Sequence, residues 1–452
     1  MKARRPNSRR WMTAACVAIA GALVAACGSS STGGSGSASN QASAPGITAT
    51  SVTLGSTQPL TGPAAPGYSE IAPAADAYFK YVNAHGGVFG RSINFKYLDD
   101  GYNPTNTASL TRQLVLQDNV YAMFDALGTP THLAVVDYLN QHKVPDLFVA
   151  SGCNCWNSVS THPYTFGWQP DYTIEGKILG NYVKQTYPGK KVGYFAQGPN
   201  DEFGDDGVAG LNDVLQNSSV TVVNPVQYYA PTTAGAMGVK AEMAAMQSAG
   251  VQVVVSFSIP VFTATMIASA ASIGYHPAFV VTNVGSDLPT LTAILTGGAL
   301  GVKLPAALLI GMTSDSYLPL VSDSSNPWIT LFKSIATQYA PSLPWDGNVL
   351  YGEASAYTFV QALRAAGQNP TRDDLKNALE NSHFSDGPGL APFGYSSTNH
   401  LGYTGVQVVT VGGNGLGSFV GSLQTTDDTA GGAINAASGT PATPPANGIP
   451  SD

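Results

Sequence analysis

The sequence predicts an α/β protein made of two doubly wound parallel-sheet lobes joined by more than one crossing of the chain. Three observations predict it. Short apolar strands alternate with stretches of helical period from Val52 to Val149. An irregular stretch from Cys153 to Asp171 interrupts them, and the alternation restarts and runs to Val281. Helical and strand segments then follow in a mixed order that sends the chain back between the two halves.

The first βαβ unit spans Val52 to Pro104. Val52-Thr53-Leu54-Gly55 is a strand, and Pro59-Leu60-Thr61-Gly62-Pro63 breaks it. Ser69 opens a helix with Ile71, Ala74, Ala75, Tyr78, Phe79 and Val82 on one stripe, and Gly86-Gly87 ends it. Ile93, Phe95 and Tyr97 alternate as a strand, and Asp99 to Pro104 turns the chain. The loop from Gln58 to Ser69 lies beyond a strand's carboxyl end, where open α/β sheets place their ligands.

A second helix starts at Asn103-Pro104, Tyr121 to Phe124 is a strand, and Thr131 caps a helix carrying Leu133, Val136 and Leu139. The strand Leu147-Phe148-Val149 ends in Ala150-Ser151-Gly152. Gly167-Trp168-Gln169-Pro170 reads as a crossing into the second half. There, strands at 192–195, 220–223, 251–255 and 279–281 alternate with helices. Leu308-Leu309-Ile310 reads as another crossing strand, 327–339 and 351–366 as helices, and 406–411 as a late strand. From about Thr425 the chain is Ala, Gly, Thr, Pro, Asp and Asn and is expected to be disordered.

The 452 residues exceed one ordinary domain, and 44% hydrophobic content supplies large cores. Charged residues make up 11%, against about 25% in typical soluble domains, so Ser, Thr, Asn, Gln and Gly cover the surface, as suits an exported protein. A basic start, an apolar run from Trp11 to Ala26 and small residues at its end form a signal peptide over residues 1–26. Val24-Ala25-Ala26-Cys27 resembles a bacterial lipobox, which implies cleavage before Cys27 and lipidation of its thiol. Residues 27–46 read as a flexible tether. Five of the 20 basic residues lie in the first ten, so the remainder carries 15 basic against 28 acidic, a net charge of −13. No basic patch is left for nucleic acid.

Catalytic motifs are absent: there is no Gly-x-Ser-x-Gly elbow, His-Glu-x-x-His pair or phosphate loop. The seven His are scattered at strand ends and turns, in solvated or capping positions, and Asp99-Asp100 reads as a turn with solvated acids. Cys153-Asn154-Cys155 leaves a short disulfide and free thiols both open, and makes no metal site.

Taken in order, several motifs carry a resemblance: Pro59 to Pro63, Asn83 to Arg91, Asp99 to Pro104, Leu127 to Thr131, Val144 to Gly152, Gly167 to Pro170 and Asn200 to Gly204. The chain resembles the ABC-transporter solute-binding proteins of the type I periplasmic fold, in the branched-chain amino acid (Leu/Ile/Val) branch. The resemblance covers most of residues 47 to 420. It implies a three-stranded hinge, lobe 1 over 47–169 and 315–396, lobe 2 over 170–314 and 397–424, and a ligand held between them. By the resemblance, the strand ends Gly128-Thr129 and Ala150-Ser151-Gly152 hold a ligand carboxylate through hydroxyl and N–H groups. Tyr68 and Phe203 are aromatic walls. Asn283 stands where the family places an acid for the ligand ammonium. Asn carries no charge, so an amide, an aromatic acid or a carboxylate without an ammonium competes with an α-amino acid, and Glu353 and Asp287 are the acids available to replace the charge.

The expectation is therefore a monomeric, lipid-anchored receptor without cofactor on the extracytoplasmic face of a bacterial membrane. It takes an amino acid, amide or small organic acid and hands it to ABC permease subunits. A ligand-sensing signalling module is the alternative, and an exported α/β enzyme a more distant one.

Overall fold

A computed structural model describes residues 39–231, 239–381, 384, 387–438 and 442–451. Residues 1–26 and Cys27, with the signal peptide and lipobox read there, lie outside the described residues.

Among the described residues the first sheet holds five parallel strands in the order β2-β1-β3-β4-β5. They are β1 Ser51–Gln58, β2 Ser92–Asp99, β3 Ala122–Phe124, β4 Asp146–Val149 and β5 Thr165–Gly167. The second sheet repeats the design with β6 Lys191–Gln197, β7 Thr221–Tyr229, β8 Val253–Phe257, β9 Ala278–Val281 and β10 Thr313–Ser316, ordered β7-β6-β8-β9-β10 and parallel. A hairpin, β11 Phe393–Ser396 with β12 Asn399–Tyr403, packs on β5. Antiparallel strands β13 Gly405–Val411, β14 Gly417–Thr425 and β15 Asn435–Ala436 extend the second sheet. The α/β class with two doubly wound sheets is the one the sequence predicts.

The local causes are plain. Strands β3, β4 and β8 are buried along their whole length, as parallel strands covered on both faces must be. Asn or Asp side chains cap the helices Pro104–Leu116, Tyr172–Thr186, Glu202–Leu215, Leu288–Gly297, Pro327–Tyr339 and Gly347–Ala365 by accepting from first-turn N–H groups. Helices Ile71–Ala84, Pro327–Tyr339 and Gly347–Ala365 pack together on the first sheet. In the second lobe, helices Tyr172–Thr186 and Glu202–Leu215 touch backbone to backbone. A Cβ on Gly176 would stand 2.4 Å from the Gly207 carbonyl oxygen.

The chain passes between the sheets after β5, after β10 and after β12. Each passage contributes one buried aromatic residue: Trp168, Tyr317 and Tyr403. Their ring centroids are 5.9 Å (Trp168–Tyr317), 5.2 Å (Trp168–Tyr403) and 5.2 Å (Tyr317–Tyr403) apart. The Tyr403 N–H donates to the Trp168 carbonyl at 3.0 Å, and the Trp168 indole N–H to Thr358 Oγ1 at 3.1 Å.

Several local expectations are corrected. Leu308-Leu309-Ile310 is not a crossing strand. Pro305 and Gly311, the latter at φ +85°, confine that segment to a 3-10 turn, Ala306–Leu309, and β10 makes the passage. Thr131 does not cap a helix, because its hydroxyl donates back to Leu127 O and Gly128 O. The helix expected there is two short ones, Thr129–Leu133 and Val136–Gln141. His132 and His400 are buried rather than solvated: His132 pairs with Asp146 at 2.8 Å, and His400 stacks on Phe166 with centroids 3.8 Å apart. Cys153 and Cys155 form a disulfide.

The segment after Thr425 is also placed against the fold, contrary to the disorder expected from its composition. Lys177, fully buried, donates to the carbonyls of Asp427 and Thr429 at 2.9 Å each. β15 then pairs with β14 on the second sheet. Farther on, the chain lies on the first lobe. There Trp328 Nε1 donates to Ala442 O, Tyr81 Oη to Asn447 O at 2.7 Å, and Tyr78 Oη to Gly448 O at 2.8 Å. These bonds use the tail's backbone, which composition does not reveal.

Removing residues 442–452 strips the partners from the Tyr78 hydroxyl and the Trp328 indole, and an unsatisfied buried donor costs about 1–3 kcal/mol. The truncated protein is expected to keep its circular dichroism and to melt several degrees lower, read by thermal denaturation. An unchanged melting temperature would place the tail off the lobe.

Candidate functional site

In each sheet the strand order reverses beside the first strand of its series, at β1/β3 and at β6/β8, and such reversals open a crevice at the strands' carboxyl ends. Residues from both reversals line one cavity between the sheets, of about 210 Å³, several times the ~30 Å³ that a liquid water occupies. Tyr68, Gly128, Thr129, Ala150, Phe203 and Asn283, six of the residues the resemblance implies for the ligand, line it. Ser151 and Gly152 do not. Ser151 sits behind Thr129, with the two hydroxyl oxygens 2.7 Å apart. Gly152 admits the Tyr172 ring: a Cβ there would lie 2.9 Å from it and 2.4 Å from the Pro170 carbonyl. Gly128 has φ +108°, and a Cβ on it would stand 2.5 Å from Thr131 Oγ1 and 2.6 Å from the Tyr102 ring.

Three of the five N–H groups expected to cradle an anion are already used. Gly128 N–H donates to Ala150 O, Ala150 N–H to Ala126 O, and Ser151 N–H to Val149 O. At that end stand the N–H groups of Thr129 and Gly152 and the hydroxyl pair Thr129 and Ser151, with Tyr172 beside them. Burial raises the Tyr172 phenol to well above its usual range, while hydrogen bonding to Gly152, Ser151 and Thr129 pulls it part of the way back.

Tyr102 and Tyr172 are walls that the sequence did not point to. Tyr102 sits at φ +59°, held by its N–H donating to Asp100 Oδ1 at 2.8 Å. Asp100 is fully buried and also accepts from Thr107 Oγ1 at 2.7 Å. It is thus an anchor for Tyr102 and not a solvated turn acid. Asp99 caps the opening loop through Thr61. Phe203, in the first turn behind its cap Asp201, packs on Tyr172 with centroids 4.6 Å apart.

Asn283 turns away from the cavity's polar needs. Its backbone N–H and its side-chain amide donate to Glu175 Oε1 at 2.6 and 2.9 Å, and Thr282 Oγ1 donates to the same oxygen. Beside Asn283, Asp315 lines the cavity. It is 3% exposed, and Glu175 and Asn283 are its hydrogen-bonding neighbours. Of the two acids considered as substitutes for the missing charge, Glu353 is buried inside the helix Gly347–Ala365 and does not line the cavity. Asp287 does line it, yet it is occupied by structure: Oδ2 accepts from Thr290 N–H and Oγ1, and Oδ1 from Gly347 N–H at 2.8 Å.

That last bond belongs to a seam between the lobes. Tyr68 Oη donates to Val284 O at 2.8 Å, Asn348 Nδ2 to Thr290 Oγ1 at 3.1 Å, and Asn154 through N–H and Nδ2 to Asp206 at 3.0 and 2.8 Å. Three acids meet at the seam. Burial first, then Asp346, pushes Glu70 up to about 9, and burial with Asp346 pushes Asp287 up to about 6. The seam makes the arrangement a clasp. It encloses a cavity of a size to hold a small solute.

A sequence model described as periplasmic binding protein matches residues 51–415. A curated relative, the Leu/Ile/Val-binding protein homolog 3 of Brucella melitensis, is 23% identical over 218 residues, 45% of this chain and 53% of that protein. The chain thus matches about half the length of this relative. Among solved structures, a branched-chain amino acid ABC transporter protein from Thermus thermophilus with bound valine is 20% identical with a TM-score of 0.72, covering 84% of this chain and 97% of that one. A possible leucine/isoleucine/valine-binding protein from Rhodopirellula baltica is 22% identical with a TM-score of 0.71, covering 82% and 96%. A fatty acid ABC transporter substrate-binding protein from Thermomonospora curvata is 22% identical with a TM-score of 0.68, covering 85% and 95%. At these identities the structures establish the fold.

The raised Glu70 carboxyl sets a pH dependence. Its neutral form is favoured in the folded, seamed state, so its contribution is complete below the unfolded value near 4.5 and is lost as pH rises through about 9. The melting temperature is expected to fall between about pH 5 and pH 9, and Glu70→Gln to flatten part of that fall, measured by differential scanning fluorimetry across buffers. A parallel profile in the variant would remove Glu70 from the account.

Proposed function

Because the chain belongs to the periplasmic binding protein family, we propose that it is a lipid-anchored extracytoplasmic receptor. It captures a small amino acid or a related carboxylate or amide between two lobes and delivers it to an ABC permease. The observation that carries this reading is the interlobe cavity itself: both sheets' switch points line it and side chains from both lobes bolt the seam above it. A ligand that bridges the lobes favours the closed state by the difference between its contacts there and in an open one. Similar proteins named for Leu/Ile/Val binding, for bound valine and for fatty acid transport take amphipathic solutes, in keeping with a cavity lined by aromatic rings and polar groups.

Anchoring is assigned to Cys27 and its acyl chains, more than one of which suffices for stable attachment. No helix among the described residues is long and apolar enough to cross a membrane. Bound solute leaves unchanged, since the site holds and releases and makes no bond.

Two measurements test this reading. Thermal-shift screening of the mature chain against amino acids, amides and small organic acids is expected to find compounds that stabilise by about 2.7 kcal/mol at 100 times their Kd. Silence across all three classes would sink the receptor assignment. Fractionation of cells expressing Cys27→Ala is expected to find the protein released from the membrane, and its retention there would refute the lipid anchor.

A further inference from the structure

The disulfide between Cys153 and Cys155 joins residues only two positions apart. A cross-link over so short a span removes far less freedom from the unfolded chain than one over a long span, so its effect on global stability is small. What it fixes is Asn154, the residue it encloses. Asn154 stands in the connection between β4 and β5 of the first lobe. Its N–H and Nδ2 donate to Asp206 Oδ2 and Oδ1 at 3.0 and 2.8 Å. Asp206 belongs to the helix Glu202–Leu215 of the second lobe and is 9% exposed. Burial pushes its carboxyl up to about 6, and the Asn154 N–H draws it part of the way back. Its charged neighbours Glu202, Asp205, Asp201 and Asp171 are all acids, so the donors from Asn154 are what steadies it.

The same loop touches the cavity wall and the last passage between the sheets. Cys153 N–H donates to Ser151 Oγ at 3.3 Å, and Ser151 backs Thr129 of the wall. Asn157 closes the 3-10 turn Asn154–Asn157, and its Oδ1 accepts from the His400 N–H on β12 at 2.8 Å. The two sulfurs are unequally placed. Cys153 is 1% exposed and packs with Val136, Val149 and Trp156, whereas Cys155 is half-buried. A thiolate arriving from solvent therefore meets Cys155 first. The sulfur it would expel, Cys153 Sγ, accepts the Cys155 N–H at 3.3 Å, which stabilises a leaving thiolate.

We propose that Cys153–Cys155 is a thiol–disulfide exchange site that latches the lobes: a dithiol reductant opens the bond at Cys155, and the loosened loop releases Asn154 from Asp206. The attacking thiolate bonds to Cys155 Sγ and expels Cys153 as a thiolate. The reductant's second thiolate then attacks the reductant's own sulfur in the mixed disulfide and expels Cys155. The dithiol leaves as a disulfide, and its two electrons and two protons end on the two protein thiols. The inference concerns the seam and does not depend on which solute the cleft takes.

The test treats the mature, ligand-free chain with dithiothreitol under native conditions. Alkylation and mass mapping are expected to find Cys153 and Cys155 both modified without denaturant. Hydrogen–deuterium exchange is expected to rise on the order of ten-fold in the Asn154–Asn157 turn and in the first turn of Glu202–Leu215, the scale set by stranding a buried hydrogen-bonded charge. Small-angle scattering is expected to show a larger radius of gyration. The double variant Cys153→Ser, Cys155→Ser is expected to match the reduced protein with no reductant present. Asn154→Ala, which removes the Nδ2 bond and keeps the disulfide, is expected to reproduce part of the rise in the oxidised protein. A disulfide that resists dithiothreitol until the chain is denatured overturns the exchange site. Reduction that leaves exchange in Glu202–Leu215 and the radius of gyration unchanged overturns the latch. Should the double variant not fold, the reduced wild-type chain decides alone.

Discussion

The three passages of the chain between the two sheets meet in three aromatic rings. Trp168, Tyr317 and Tyr403 come from three separate passages of the chain between the sheets, yet they touch one another in a single buried cluster. Each ring pair is worth roughly 0.5–1.5 kcal/mol beyond its burial, and the Trp168 indole and carbonyl are both hydrogen-bonded. The passages are thereby held as one unit. Tyr317 belongs both to this cluster and to the cavity wall.

The polar groups fall into two sets. Asp100, Asp201, Asp287 and Asp346 are held by N–H donors at turns and helix starts, and they fix the aromatic walls or the seam. Asp315 lines the cavity, and Glu175 is buried behind it with Oε1 held by Thr282 and Asn283.

The strand and helix pattern was legible because buried parallel strands read as apolar runs and the helices carry a clear stripe; Val253–Phe257 and Ile71–Ala84 are examples. Six of the eight residues expected at the ligand do line the cavity. The acids at and behind the cavity wall were hidden for physical reasons. Asp315 lies in Thr-Ser-Asp-Ser, a strand with no apolar alternation, which reads as a turn. Glu175 lies in a helical first turn, where a carboxylate is unremarkable as a partner for the helix dipole. Tyr102 follows Asp-Asp-Gly and looks like a loop residue until the buried Asp100 is seen holding it. β5 was missed because only three residues long and preceded by a Cys- and Trp-bearing loop.

The tail adds a limit of another kind. Ala436 is fixed to the second sheet and Ala442 to the first lobe, through the Trp328 indole. About six residues separate these two attachments, and a chain of that length spans at most roughly 20 Å when fully drawn out. While both ends hold, the tail is a leash: it sets a maximum gape for the lobes at that side, and any wider opening must first peel one end from its dock.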